Sequence, residues 1–370
     1  MIDTNNSRST IMNTLTALEL RPVHVPTDLD GPAARDFHRL AAIRNEVYRE
    51  ISGADDDRMT PGELAPIARS DRHERRLHWL VLIEDEPVGR MGMDLPQEDG
   101  SRTAYVFIEL RRDAWGQGIG ERAHALLEET ARAHGRTVMQ SWVEHPAADG
   151  EQLTPPTGFG TVPLDHPARF LLRHGYTLEQ IVRKSAFTLA GSRAMLEQHA
   201  AAARAASTDY RVVQWETPTP DEFVEGYAWM KSRMSTDAPS ADLVVDEETW
   251  DAERVRTWDA EILDGGRRML VTAAQHIATG ELCAFNELVL GVDPEVASHQ
   301  YDTLVLATHR GHRLGMLVKA EGLLAWPRVA PTSTRVVTYN AEENRPMLDI
   351  NEAIGFVPVS YEGVWKRVLS

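Results

Sequence analysis

The stretch "LVLATHRGHRLGMLVKAEG", Leu304 to Gly322, changes character in its middle. An apolar run stops, two arginines and two glycines crowd into "RGHRLG", and a helix-period apolar pattern begins. A strand that feeds a glycine-bearing turn into a helix N-terminus presents free backbone N–H groups in one concavity, at the positive end of the helix dipole. Such a turn can hold phosphate. Gly311 and Gly315 bring no side chain to hold the anion off, while Arg310 and Arg313 can add charge toward its oxygens. The competing reading is a tight structural turn or helix cap. The turn is not a P-loop, because no Gly-Lys-Ser/Thr follows. The strands before it form a hairpin, unlike the parallel unit of a dinucleotide fold.

A second turn of this kind, "WGQGIG", carries Gly116, Gly118 and Gly120. It belongs to an internal repeat. "WLVLIEDEPVGRMGMDL" and "MLVTAAQHIATGELCAFNELVL" both read as strand, turn, strand. The same 31-residue spacing separates Gly89 from Gly120 and Ala284 from Gly315, so an offset of 195 superposes the hairpins and the turns. Downstream, "FLLRHGY" answers "DINEAIGF" at an offset of 180; the missing 15 residues match a Pro- and Gly-bearing loop from Pro146 to Gly160, inserted in the first copy. The expected organisation is a loose tail over 1–17, a first domain over 18–190, a helical linker over 191–207 and a second domain over 208–370. Each domain reads as α/β, a mixed and mostly antiparallel sheet flanked by helices.

Composition narrows the function classes. Apolar residues at 42% and charged ones at 26% fit an ordinary globular chain. A net charge of −17 argues against a nucleic-acid or anionic-membrane partner. The single Cys283 excludes an internal disulfide and a cysteine cluster, and points to a reducing cytoplasm. The 14 histidines show no paired metal spacing, so no metal is expected.

The order hairpin, strand, Arg-bearing glycine turn, helix, strand and late Gly-Phe resembles the GNAT superfamily of N-acetyltransferases, in both halves. The resemblance implies acetyl-CoA as cosubstrate, with its pyrophosphate in the turn and its acyl arm along the preceding strand. In the second copy it implies contacts at Leu304, Val305, Leu306 and Ala307, through the turn at Arg310, Gly311, His312, Arg313, Leu314, Gly315 and Met316, and at Asn340, Asn344 and Asn351. Arg313 stands where the family places its middle glycine, and Trp115 replaces the leading arginine in the first copy. The family's tyrosine acid is replaced by Asn351 in the second copy and Leu171 in the first. Asparagine can hold a cofactor group but cannot usefully give up a proton. Tyr339 is a substitute acid or a packed strand aromatic.

Acetyl transfer to an amine requires an ammonium near pKa 10 to lose a proton, an oxyanion to be stabilised and a thiolate to leave. Glu287 and Asp302, on strands beside the turn, are the candidate bases. At the same offset the first copy has Gly92 and Phe107, with His145 for Asn340, so only the second copy is expected to turn over. Asp237, Asp242, Asp246, Glu247 and Glu248 would form an acidic rim that draws in a cationic small-molecule amine, or simply a solvated face. The alternative function is an acyl-CoA-binding sensor or scaffold without turnover.

Overall fold

The computed structural model describes residues 17–237, 240–245 and 247–370. All but the last residue of the expected tail, and Asp246, lie outside them.

The described residues form two compact units, and the units are not contiguous in sequence. The first takes in the chain to Pro146, then Asp165–Leu178 and Val364–Ser370; the second takes in Ala147–Leu164 and Glu179–Gly363. The first unit opens with β1 (Leu18–Val23), α1 (Arg35–Ser52) and α2 (Pro61–Ala68). It continues with β2 (Glu74–Ile83), β3 (Glu86–Pro96), β4 (Thr103–Leu110), α3 (Ile119–Ala133) and β5 (Val138–His145). Local chemistry sets these limits. Thr60 and Glu63 close a capping box on α2 with Pro61 in its first turn, and α1 stops at left-handed Gly53. Glu84 and Asp85 both take positive φ in the β2–β3 turn, which matches the twist of the flanking strands. Pairing is antiparallel from β1 to β4 and parallel between β4 and β5.

The inserted loop and the residues just after it carry a small hairpin, β6 (Gln152–Leu153) and β7 (Val162–Pro163), and Ala147–Leu164 belongs to the second unit. There Gly160, with positive φ, lies against Ile181 and Glu342, where a Cβ would come within 3.1 and 3.0 Å. The chain returns to the first unit for α4 (His166–Arg173) and enters β8 (Thr177–Thr188). From Glu179 onward β8 lies in the second unit; every residue from Leu178 to Phe187 is buried.

The second unit then runs α5 (Arg193–Ala206), β9 (Tyr210–Glu216), α6 (Asp221–Asp237), α7 (Ala252–Asp264), β10 (Arg268–His276), β11 (Leu282–Leu290), β12 (Ser298–Val305), α8 (Leu314–Val329), β13 (Arg335–Ala341), α9 (Arg345–Ile354) and β14 (Val357–Val368). The end of β14 returns to the first unit, where the Leu369 N–H donates to the Thr137 carbonyl at 2.8 Å. The spans 18–190 and 208–370 therefore follow the sequence repeat, whereas each compact unit includes strand residues encoded in the other span. The expected helical linker, 191–207, contains α5, which buries Leu196, Ala200 and Ala203 within the second unit.

Strand order in this unit is β8-β13-β12-β11-β10-β9. Side-chain alternation assigns the two faces. Ala284 and Leu288 of β11 join Leu317 and Trp326 of α8 in one core, while Phe285 and Val289 join Tyr227 of α6 and Val255 of α7 in another. Two features shape what lies between. Parallel pairing of β12 with β13 covers only Ser298–Gln300 against Val336–Thr338, after which the strands part. Between β11 and β12 the register shifts, because Glu287 alone faces both Tyr301 and Asp302. The first unit keeps an unbroken register there, with Gly92 opposite Phe107. Bulges bend a strand and re-aim its side chains.

Candidate active site

At the bulge the two candidate carboxylates do come together, around a lysine that sequence reasoning missed. Lys231 Nζ lies 2.5 Å from Asp302 Oδ2 and 3.2 Å from Glu287 Oε1. Glu287 Oε1 also accepts from the Tyr227 hydroxyl, and Oε2 accepts from the Asp302 backbone N–H at 3.4 Å. Tyr227 and Lys231 stand four residues apart on α6, so they share its inward face. Trp250 and Trp258 place their rings 4.9 and 5.3 Å from the ammonium, at cation–π range. The available signal was weak: in "GYAWMKSRM", one lysine falls on the apolar side of the helix.

The two acids differ in access. Glu287 is fully buried, whereas the Asp302 side chain keeps 38% of its surface exposed. Burial raises the Glu287 carboxyl above the usual range, Lys231 pulls it back, and the Asp302 charge raises it further. Burial opposes the charge on Lys231, but Asp302 and then Glu287 outweigh it and hold the ammonium above its ordinary pKa. Burial, followed by the Glu287 charge, keeps Tyr227 a neutral phenol. The cluster is a buried cation shared by a hidden carboxylate and an accessible one.

The glycine turn lies past the end of β12. Leu304, Val305 and Leu306 lead into a short 3₁₀ turn at Ala307–His309, and α8 begins at Leu314. Gly311 has φ +88 with open space where a Cβ would stand, and no side chain caps the N-terminus of α8. The first-turn N–H groups there have no helical partners, which is the donor set a phosphate uses. The residues fit the pyrophosphate of a coenzyme A. Arg310 is half exposed; its nearest carboxylate is Asp237, at 3.9 Å. Gly315 serves packing instead, since a Cβ there would lie 2.9 Å from Ile350 of α9. Arg313 holds the left-handed conformation at φ 56 that Gly118 holds at φ 80 in the first unit. The turn thus takes the same backbone shape with arginine as with glycine. Gly116 matches Gly311 in positive φ and open space, and Gly120 packs on Phe170 as Gly315 does on Ile350.

On the α8 side, Asn340 and Asn351 meet: Asn351 Nδ2 donates to Asn340 Oδ1 at 2.7 Å, and Asn351 Oδ1 accepts from Lys319 Nζ at 2.8 Å. Asn344 caps α9 by position, without a side-chain hydrogen bond, and so is not drawn into this chain. Tyr339 points to the other face, with the Lys184 ammonium 5.4 Å from its ring. In the first unit the corresponding His145 is buried and bonded to Asp165 at 3.0 Å. Gly92 could not carry a side chain, since a Cβ would strike Phe107.

Two acids of the expected rim are paired, while Asp242 and Glu247 are exposed. Asp237 bridges to Arg233 at 2.7 Å, and Glu248 binds Arg254 at 3.0 Å and the Trp250 indole at 2.9 Å. One group able to hold a metal does form among the described residues: Glu281, Cys283 and His309 bring ligand atoms within 4.8 Å of one another, and His309 Nδ1 faces the Tyr210 hydroxyl at 2.9 Å. No helix among the described residues is long and apolar enough to cross a membrane.

Residues 36–150 match the profile of the Acetyltransferase (GNAT) family. Among solved structures, a tandem GNAT protein from the clavulanic acid biosynthesis pathway is 23% identical, with a TM-score of 0.71 over 95% of this chain and 98% of its own. A GCN5-related N-acetyltransferase from Sphaerobacter thermophilus is 14% identical, with a TM-score of 0.58 over 95% and 96%. A GCN5-related glucosamine N-acetyltransferase region in a fungal multi-domain β-N-acetylglucosaminidase is 12% identical, with a TM-score of 0.60 over 95% of this chain and 38% of that one. No curated protein matches by sequence. The chain has the tandem GNAT fold, and its first half carries the match to the acetyltransferase family.

Proposed function

We propose that the chain is an acyl-CoA-dependent N-acyltransferase, and that its second unit transfers acetyl from acetyl-CoA to a primary amine of a small molecule. The observation that carries this reading is the accessible Asp302 carboxylate, held 2.5 Å from a buried Lys231 beside the opening between β12 and β13. Acyl-CoA would supply the acyl group activated as a thioester. Asp302 would take the proton released by the amine, directly or through one water, and Lys231 would hold that carboxylate in place. Glu287, sealed beneath it, would keep Lys231 charged. Backbone groups at Leu306 and Ala307 would orient the thioester carbonyl, while Arg310 and the uncapped start of α8 would bind phosphate.

A second reading, an acyl-CoA-binding protein without turnover, is favoured by one observation: Asn351 stands at the acid position. The two separate on one assay. The protein is incubated with acetyl-CoA and a panel of amines while free thiol is followed. Amine-dependent thiol release supports the transferase; saturable binding of acetyl-CoA with no release supports the binder.

A further inference from the structure

Lys319 sits in the middle of α8 and is fully buried, among neighbours Leu317, Val318, Ala320 and Leu323 that are buried too. An apolar side chain would fill this place without the desolvation cost of an amine. Among the described residues its hydrogen-bond partner is Asn351, and burial is the sole cause lowering its pKa to about 7. The charged groups on the surrounding elements are engaged elsewhere. On α9, Arg345 pairs with Asp349, and Glu352 with Arg183. On α5, Arg204 pairs with Glu321 of α8 itself and Arg193 with Glu197. Glu287 of β11 and Asp302 of β12 turn toward Lys231, and Arg268 of β10 pairs with Glu216.

In its charged form the lysine only donates, so the Asn351 carbonyl faces it and the Asn351 amide donates to Asn340. That chain reaches the end of β13, beside the opening between the parallel strands, on the α8 side of the sheet. The Asp302–Lys231–Glu287 cluster lines the α6 side. A nucleophile deprotonated from one face leaves the other face to the departing group.

We propose that Lys319 is a positioning residue for the leaving group: through Asn351 it holds a donor chain, backed by positive charge, where the coenzyme's sulfur departs. The inference rests on the acyl-CoA reading. As the amine nitrogen bonds to the acyl carbon, the carbon–sulfur bond breaks and its electron pair stays on sulfur as thiolate, while the amine's proton goes to Asp302. A thiolate there favours the charged form of Lys319 against the burial that lowers its pKa to about 7, and that charge stabilises the thiolate in turn. The first unit lacks the device, since its counterparts are His124, which burial first holds neutral with a pKa of about 4, and Leu171.

The test follows the thiol of bound coenzyme A by its ultraviolet thiolate absorbance against pH, using the full chain. Cys283 does not interfere below about pH 10, because burial pushes its thiol up to about 11. A free thiol of this type ionises near about 8.5. The wild-type protein should hold the bound thiol ionised at least one pH unit lower, a ten-fold change in its ionisation constant. Lys319→Met should return it to the free value, and Lys319→Arg should keep part of the shift. A bound thiol that titrates like free coenzyme A in the wild type overturns the proposal without any variant. So does a folded Lys319→Met protein that titrates like the wild type. Failure of the wild type to bind coenzyme A at all overturns the acyl-CoA reading as well, and is distinguished by calorimetry.

Discussion

Replacing Lys231 by methionine tests the cluster at its centre. The substitution keeps the length and apolar packing of the stem while removing the charge between Glu287 and Asp302. Asp302 is partly exposed and can turn to water, but Glu287 has no such escape. Removing one partner of a buried ion pair costs about 3–5 kcal/mol, because the other charge is left uncompensated. Loss of ring contacts with Trp250 and Trp258 adds roughly 0.5–2 kcal/mol. For a unit of this size such a loss lowers the melting temperature by on the order of 10 °C. The pH dependence has a definite sign. Burial already raises the Glu287 carboxyl, and without Lys231 its largest offset is gone, leaving the Tyr227 hydrogen bond. An acid whose folded pKa exceeds its unfolded value binds more protons when folded, so stability is fullest below the unfolded pKa and falls as pH rises toward the folded one. The variant should therefore lose ground to the wild type as pH rises above the ordinary glutamate range, by up to about 1.4 kcal/mol per pH unit for the one proton. Melting curves at several pH values read this directly. Adding Glu287→Gln to the variant should abolish the extra pH dependence and recover part of the stability. A Lys231→Met protein that melts within 2 °C of the wild type at pH 8 would refute the assignment of a buried, charge-bearing cluster.

Asp302→Asn should lower kcat by about 100- to 10,000-fold with little change in KM for acetyl-CoA, as loss of a general base does. Glu287→Gln should cost less activity than Asp302→Asn; the reverse order in steady-state kinetics would make Glu287 the proton acceptor. Arg310→Ala should weaken coenzyme A binding by about 1–3 kcal/mol in calorimetry, through loss of a charge-assisted contact. Unchanged affinity would remove the turn from the cofactor site. Gly118→Asp should leave turnover within about two-fold, since aspartate tolerates the left-handed region and the first unit is assigned no chemistry. A loss matching that of Asp302→Asn in a folded protein would show that the first unit takes part.

Much of this fold was legible because its signals are local. Turn glycines, hairpin alternation and the 195-residue offset depend on neighbours in sequence, and they located both hairpins, both turns and the helices after them. The strands β8 and β14 follow the late glycine of each copy, but the unit each completes depends on pairing over more than a hundred residues, which no local pattern records. Glu287 and Asp302 could be singled out by comparing the copies, because carboxylates at positions of glycine and phenylalanine stand out. Lys231, Tyr227 and Lys319 could not. Their meaning comes from what faces them across a helix–sheet interface, and in sequence each looks like an ordinary helix residue. In the acidic stretch the charges were legible, but the partners of two of them, Arg233 for Asp237 and Arg254 with Trp250 for Glu248, were not.

With chemistry assigned to the second unit as proposed, the two copies differ in which features accompany the site. Gly116 and Gly118 keep positive φ, and Gly120 keeps its contact with Phe170, although nothing else of the second unit's site is present beside them. Packing of the helix after the turn against the following short helix is reason enough, since a Cβ at Gly120 or Gly315 would press on Phe170 or Ile350. The turn alone is therefore a poor marker of activity. The bulge is a better one. It appears where Glu287 replaces Gly92 and Asp302 replaces Phe107, because a buried carboxylate needs donors, and the shifted strand supplies the Asp302 N–H while α6 supplies Tyr227 and Lys231. In the first unit, Phe107 fills that space, with the Arg90 guanidinium 4.5 Å from its ring, and the register runs unbroken. One strand register thus records which copy was shaped around a charge.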